Sequence, residues 1–546
     1  MRYEIIRSSF AALAAAAAIS IALGAQSKAP AVTSEQLLAG AANPEQWLMF
    51  AGDYSGRRHS PLTQVTPQNV NRLVHQWTFQ TGTLGMFEAT PLVYDGVLYV
   101  TGANNHAWAL DARTGRTFWR YRRELPDDLR VCCGPVNRGF AALGNRLFMT
   151  TLDAHLIALD ARTGAVLWDV ALDDYKKGYA STIAPLVVKN MVVVGVAGGE
   201  YGAPGFISAH DVQTGHRTWR HNTVPAPGEP GSETWPADSA ERGGAGVWVT
   251  GAYDPELNLL YYGTGNPAPD FHGEDRKGDN LYSNSLLAID ADTGKRRWHY
   301  QFTPYDTHDW DSTQVPILAD ITMRGQARKV VMFANRNGFF YTLDRTTGRV
   351  LLAKPYVHTT WANEVGADGR PVLLPDNTPN EKGSVTCPDL TGGTNFYPPS
   401  YDPALRLFFV NARETCATYF GWKPNFKVGE WFLGGATQKA DGPQGTFGAL
   451  RAIDPTTGER KWELRYPSPG TAGVLTTASG LVFTGDDSGS VLAVESRTGK
   501  VAWHYQMGSA VHGTSPVTYM LGGRQFVLVP AGATLVAFAL PESPRP

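Results

Sequence analysis

The sequence predicts an all-β protein, a β-propeller of seven or eight blades with tryptophan-docking repeats, and three observations predict it. One eleven-residue pattern occurs seven times along the chain. Short β-rich runs such as "GVLYVTG", "NRLFMTT", "MVVVGV" and "LVFTG" separate the copies. Consecutive copies stand about 41 to 53 residues apart, the length of a four-stranded blade.

The copies are "ALDARTGRTFW" ending at Trp119, "ALDARTGAVLW" at Trp168, "AHDVQTGHRTW" at Trp219 and "AIDADTGKRRW" at Trp298. They continue with "TLDRTTGRVLL", "AIDPTTGERKW" at Trp462 and "AVESRTGKVAW" at Trp503. The shared form is A-x-D-x-x-T-G-x-x-x-W. A strand ends at the Asp, and the Thr-Gly pair turns tightly because Gly is free to take positive φ. The next strand carries Trp, whose bulk packs between neighbouring sheets and whose N–H finds a partner there. Trp77 in "LVHQWTF" resembles an eighth ending without the turn. Counting it gives eight blades, and omitting it gives seven. Two spacings are longer, from Trp219 to Trp298 and before Trp462, and are expected to carry insertions. The second is expected to hide a degenerate blade around "NFYPPSYDPALRLFFVNA". Closure requires the first and last strands to share a blade, and "TLVAFAL" near the C-terminus can supply that edge.

Composition narrows the classes. A formal charge of −2 gives no electrostatic reason to bind nucleic acid or an anionic membrane surface. Residues 1–25 read as a signal peptide: Arg2 and Arg7 precede an Ala-rich apolar run and small residues at Ala22, Gly24 and Ala25. That run is short for a membrane span. Residues 26–546 are expected to form a single propeller domain, exported, periplasmic and without a membrane span. Four cysteines allow three pairings, and in an oxidising compartment free thiols do not persist. Cys132–Cys133 with Cys387–Cys416 is the preferred pairing. Adjacent thiolates do not readily fill two corners of a zinc tetrahedron.

Residues that depart from the repeat are the candidates for chemistry. They are Glu88 in "GMFEATPLV", Glu200 in "GGEYGAPGF", Trp248 and Asn266 around "AYDPELNLLYYGTGN", Asp309 and Asp311 in "HDWD", and Arg336 in "ANRNGFF". Together the carboxylates and the amide oxygen suggest a site for a hard cation. The chain has no C-x-x-C-H for covalent haem and no G-x-G-x-x-G between a strand and a helix for a nicotinamide dinucleotide.

These stretches, with "CCGPVNRG", "ANRNGFFYTLDR" and "GGTNFYPPSYDP", resemble the pyrroloquinoline quinone (PQQ)-dependent alcohol dehydrogenases, the soluble quinoprotein methanol and ethanol dehydrogenases, over almost the whole mature chain. The resemblance implies eight blades and PQQ with Ca²⁺ as cofactors. It implies a ring disulfide of Cys132 and Cys133 above the quinone and Trp248 as the floor beneath it. It places Glu200, Asn266 and Asp311 on the metal, Asp311 as catalytic base, and Arg336 beside the quinone carbonyls. Glu88, Arg138, Thr182 and Asn395 fall where the family contacts cofactor carboxylates and ring edges; a guanidinium suits a carboxylate.

The function implied is oxidation of an alcohol to an aldehyde or ketone, with electrons passed to a separate cytochrome c. Asp309 is the rival for the base. Thr313 stands where lanthanide-dependent relatives place an extra Asp, which favours calcium. Two departures from the family are Ile183 in place of Gly and the absence of a Gly-Trp loop near the C-terminus. The alternatives are a quinoprotein for sugars or bulkier alcohols, or a non-catalytic scaffold with the same repeats; such a scaffold needs none of the site residues.

Overall fold

The computed structural model describes residues 31–236 and 238–542; the predicted signal segment, 1–25, lies outside them. The described chain is strand-rich and propeller-type. Eight of its sheets have four strands or more. In seven of these eight, four antiparallel strands follow one another in chain order, apart from one insertion. The eighth joins the two ends of the chain: Val74–Gln80 pairs antiparallel with Thr534–Ala539, as expected for "TLVAFAL". None of the described helices is long and apolar enough to cross a membrane.

The repeat residues make the joints between sheets. Trp119 Nε1 donates to the Ala161 carbonyl at 2.9 Å, and its ring covers Gly164 in the next sheet's turn. Trp168 stands likewise over Gly215, Trp219 over Gly294, Trp298 over Gly348 and Trp462 over Gly499. Trp77 covers Gly115 in the same way. In "TLDRTTGRVLL" the tryptophan place falls to Leu352, and Lys354 joins it over Gly458. A Cβ on any of these glycines would meet its neighbour at 2.6–2.8 Å, and each has a φ of +70° to +77°. That combination restricts the position to Gly.

"NFYPPSYDPALRLFFVNA" is not a further blade. It forms Ser400–Asp402 and Leu407–Glu414, the first two strands of the sheet whose last strand, Arg460–Tyr466, carries Trp462. The insertion lies between the second and third strands of that sheet. Its Cys416–Gly421 and Gly435–Ala440 build a separate three-stranded sheet with Ser384–Thr386. Cys387 and Cys416 are joined there, and Cys132 is joined to Cys133.

Candidate functional site

Antiparallel order brings the entry to a sheet's first strand and the loop between its second and third strands to the same end. The candidate residues come from these two positions. Glu88, Arg138, Thr182, Trp248, Asp311 and Asn395 each stand a few residues before the first strand of a different sheet. Glu200, Asn266 and Arg336 follow the second strands Met191–Gly195, Leu259–Gly263 and Gln326–Ala334. Six sheets thus send side chains to one cavity of about 260 Å³, and His512 reaches it from the sheet that joins the chain ends.

Glu88, Cys132, Cys133, Arg138, Thr182, Glu200, Trp248, Arg336, Asn395, Asp309 and Asp311 all line it. Asn266 does not line it, but its backbone N–H donates to Asp311 Oδ1 at 2.7 Å. The other Asp311 oxygen accepts Arg336 Nη1 at 2.8 Å and Trp248 Nε1 at 3.1 Å. Asp309 Oδ1 stands 3.6 Å from the same guanidinium. Arg336 also donates to the Leu390 carbonyl, tying its loop to a second wall.

On the other side, Arg138 is ion-paired to Glu88 at 2.9 Å and donates to Thr182 Oγ1 at 2.6 Å. Its guanidinium lies 4.8 Å from the Trp248 ring centroid and 4.5 Å from that of Phe396. One sulfur each from Cys132 and Cys133 lies within 4.8 Å of a Glu200 carboxylate oxygen. With both thiols used in the disulfide, neither offers a thiolate to a metal.

Burial governs the electrostatics. It raises Glu200 to about 7, with Asp311 pushing the same way and Glu200's own backbone N–H and Arg336 opposing. Burial also raises Asp311, against Arg336, the Asn266 N–H and the Trp248 N–H. Asp309 is held well above the usual carboxylate range by burial, against Arg336, with other nearby carboxylates adding to the rise. Carboxylates lifted by burial and by one another fit a site completed by a cation. Arg138 Nε and Arg336 Nε have no hydrogen-bond partner, which fits a ligand bearing carboxylate or carbonyl oxygens.

Sequence reading missed Phe396 and His512, which line the cavity, and Asp270, which is buried near Asn266 and Glu200. Asp270 stands four residues after Asn266 in "GNPAPD", and that proximity was the available signal. Phe396 follows Asn395 directly. His512 lies in a stretch with no motif.

A cavity at one end of a propeller-type fold, lined by two ion-paired arginines, carboxylates and an indole, fits a cofactor with anionic oxygens, as a quinoprotein oxidoreductase would hold. The comparisons name the family. A family model for the β-propeller domain of PQQ-dependent glucose, ethanol and alcohol dehydrogenases matches residues 47–354. One for the outer membrane protein assembly factor BamB matches 446–540. The chain is 39% identical over 530 residues to the quinoprotein alcohol dehydrogenase PedH of Pseudomonas putida, covering 92% of this chain and 88% of that one. It is 37% identical over 535 residues to a lanthanide-dependent methanol dehydrogenase of Methylacidiphilum fumariolicum, covering 92% and 87%. The solved structure of a europium-containing methanol dehydrogenase matches with a TM-score of 0.88 at 34% identity, covering 93% of this chain and all of that one. The chain belongs to the PQQ-dependent alcohol dehydrogenase family. It is an oxidoreductase that oxidises alcohols with PQQ, so the scaffold alternative falls.

Proposed function

We propose that Asp311 is the catalytic base of this alcohol dehydrogenase and that Glu200, Asn266 and Asp311 hold a divalent or trivalent cation beside the quinone. The observation that carries the reading is the seat of Asp311. Three donors fix a buried carboxylate at the cavity wall, so it is oriented before substrate arrives. When bound, PQQ supplies the two-electron redox chemistry and the cation its Lewis acidity. Asp311 takes the hydroxyl proton of the alcohol. Arg336 keeps that carboxylate charged and offers its remaining N–H to the quinone edge. Arg138, with Glu88, Thr182 and Asn395, receives the cofactor's carboxylates and ring edges. Trp248 and the Cys132–Cys133 ring, which line the same cavity, would hold the faces of the bound cofactor and keep water from it.

Oxygen donors alone suit Ca²⁺, and Thr313 in place of an acid favours it. A trivalent ion is the other reading, since one relative is named lanthanide-dependent. The eight sheets are read as eight blades closed by the pairing of the chain ends and docked by the repeat tryptophans. The single-domain, exported, periplasmic reading rests on the signal-like N-terminus, and a separate cytochrome c is the proposed electron acceptor.

The test is protein reconstituted with PQQ and Ca²⁺, assayed on alcohols and sugars with a dye acceptor. Asp311→Asn is expected to retain bound PQQ and lose turnover by at least 10²-fold. Undiminished rates would remove Asp311 as the base. Glu200→Ala is expected to abolish the dependence of activity on added cation, and an unchanged dependence would remove that ligand.

A further inference from the structure

Asp270 is a buried acid that the reading above does not use. It is 1% exposed, makes no ion pair among the described residues, and its Oδ1 has no hydrogen-bond partner. Leaving a buried carboxylate oxygen unpaired is costly, so such an atom marks a missing ligand or counter-charge. The position is fixed by the backbone. Before it, Ala245 N–H donates to the Asn266 carbonyl at 2.8 Å and Ala268 N–H to the Gly243 carbonyl at 3.1 Å. Arg276 donates to the Pro269 carbonyl at 2.9 Å, and Phe271 N–H to the Leu433 carbonyl at 2.9 Å. Asp270 therefore does not swing away to water.

Its surroundings point to the cation site. Burial raises it well above the usual range. Glu200 and Asp311 add to the rise, while the nearby Asn266 amide and the charge of Arg276 oppose it. Asn266 Nδ2 also faces the Pro267 carbonyl at 3.4 Å, so the amide nitrogen is turned toward the 267–270 side. That leaves Asn266 Oδ1 for the cation.

We propose that Asp270 is a positioning residue of the cation site: it takes the Asn266 Nδ2 side of the amide, aims Asn266 Oδ1 at the cation, and adds a negative charge held in no ion pair among the described residues. The inference rests on the metal assignment proposed above. Outer partners that fix a ligand's orientation commonly govern metal affinity by ten- to a hundredfold. Coulomb attraction also scales with cation charge, so a carboxylate outside any ion pair favours a trivalent ion more than a divalent one.

The experiment uses full-length protein loaded with PQQ, stripped of cation with a chelator, and titrated separately with Ca²⁺ and Tb³⁺. Bound metal is read by equilibrium dialysis and mass spectrometry, and Tb³⁺ also by its luminescence. Asp270→Asn is expected to weaken Ca²⁺ about tenfold and Tb³⁺ about thirtyfold, the same attraction acting on two and on three charges. Asp270→Glu is expected to restore part of the lost Tb³⁺ affinity. If Asp270→Asn unsettles the fold, both ions weaken alike, and an unchanged Tb³⁺/Ca²⁺ ratio overturns the proposal. Unchanged affinities overturn it as well. Glu200→Ala in the same titration separates the two ideas. If it abolishes binding while Asp270→Asn does nothing, only the role of Asp270 falls. If both leave binding intact, the cation site itself is misplaced.

Discussion

Arg336 Nη1 donates to Asp311 Oδ2 across 2.8 Å, and both side chains are buried at the wall of the same cavity. The guanidinium is the main charge opposing the rise that burial imposes on Asp311. Arg336→Gln removes that charge. We expect turnover to fall by about 10²-fold or more, as for loss of a group that fixes a catalytic base. Arg336→Lys keeps the charge but not the planar fork and should fall between the two. Turnover of the Gln variant within twofold of wild type at full PQQ loading would contradict the pairing's role.

Gly265 sets the room in which Asp311 sits. A Cβ there would lie 2.6 Å from Asp311 Oδ1 and 3.2 Å from Gly246 N and O. The carboxylate can shift, but the Gly246 backbone behind the Cβ cannot easily do so. Gly265→Ala is therefore expected to push Asp311 off the Asn266 N–H. A displacement near 1 Å costs about 10²-fold in rate, while overpacking of this kind costs about 1–3 kcal/mol of stability. Measuring turnover and urea midpoint on one preparation checks it; a normal rate would show that the carboxylate tolerates the methyl.

The repeat made the fold legible because Trp77, Trp119, Trp168, Trp219, Trp298 and Trp462 each do one physical job, covering the glycine of a Thr-Gly turn in the next sheet. The cavity residues were legible because they break the repeat at a fixed end of each sheet, as Glu88, Trp248 and Arg336 do. Asp270 was legible only by its nearness to Asn266: the role proposed for it depends on a carboxylate, Glu200, contributed by another sheet. His512 was hidden likewise, since it enters the site only because the chain ends share a sheet. The predicted extra blade failed because "SYDPALRLFFV" has strand character but no Trp ending of its own. It had to share one some fifty residues further on.

Gly164→Ala tests the joints between sheets. Its Cβ would meet the Trp119 ring at 2.7 Å in a backbone of φ +74°. Gly445 has the same kind of backbone, φ +76°, with nothing within 4 Å of its Cβ. Gly445→Ala should therefore cost only the backbone strain, about 1 kcal/mol. Gly164→Ala should cost that and a further ~1–3 kcal/mol for prising the indole from the turn. Equal denaturation midpoints for the two variants would mean that Trp119 adds nothing to the joint.

Stability should also fall on mild acidification, through His221 and His299. Burial lowers each to about 4, and the Arg296 charge pushes both the same way. The unfolded chain protonates these histidines near their ordinary value of about 6.5. Between roughly pH 6.5 and pH 4 the unfolded state then binds more protons than the folded one, so stability rises with pH across that window. It is fully present above about pH 6.5 and is lost progressively as pH falls. Each ring has partial solvent contact, which screens the effect to roughly 1–3 kcal/mol. Urea midpoints of wild type should drop from pH 7 to pH 5. In a His221→Asn, His299→Gln variant the drop should be visibly smaller, because those two protons are no longer taken up on unfolding. An identical slope in both proteins would place the acid sensitivity in the carboxylates instead.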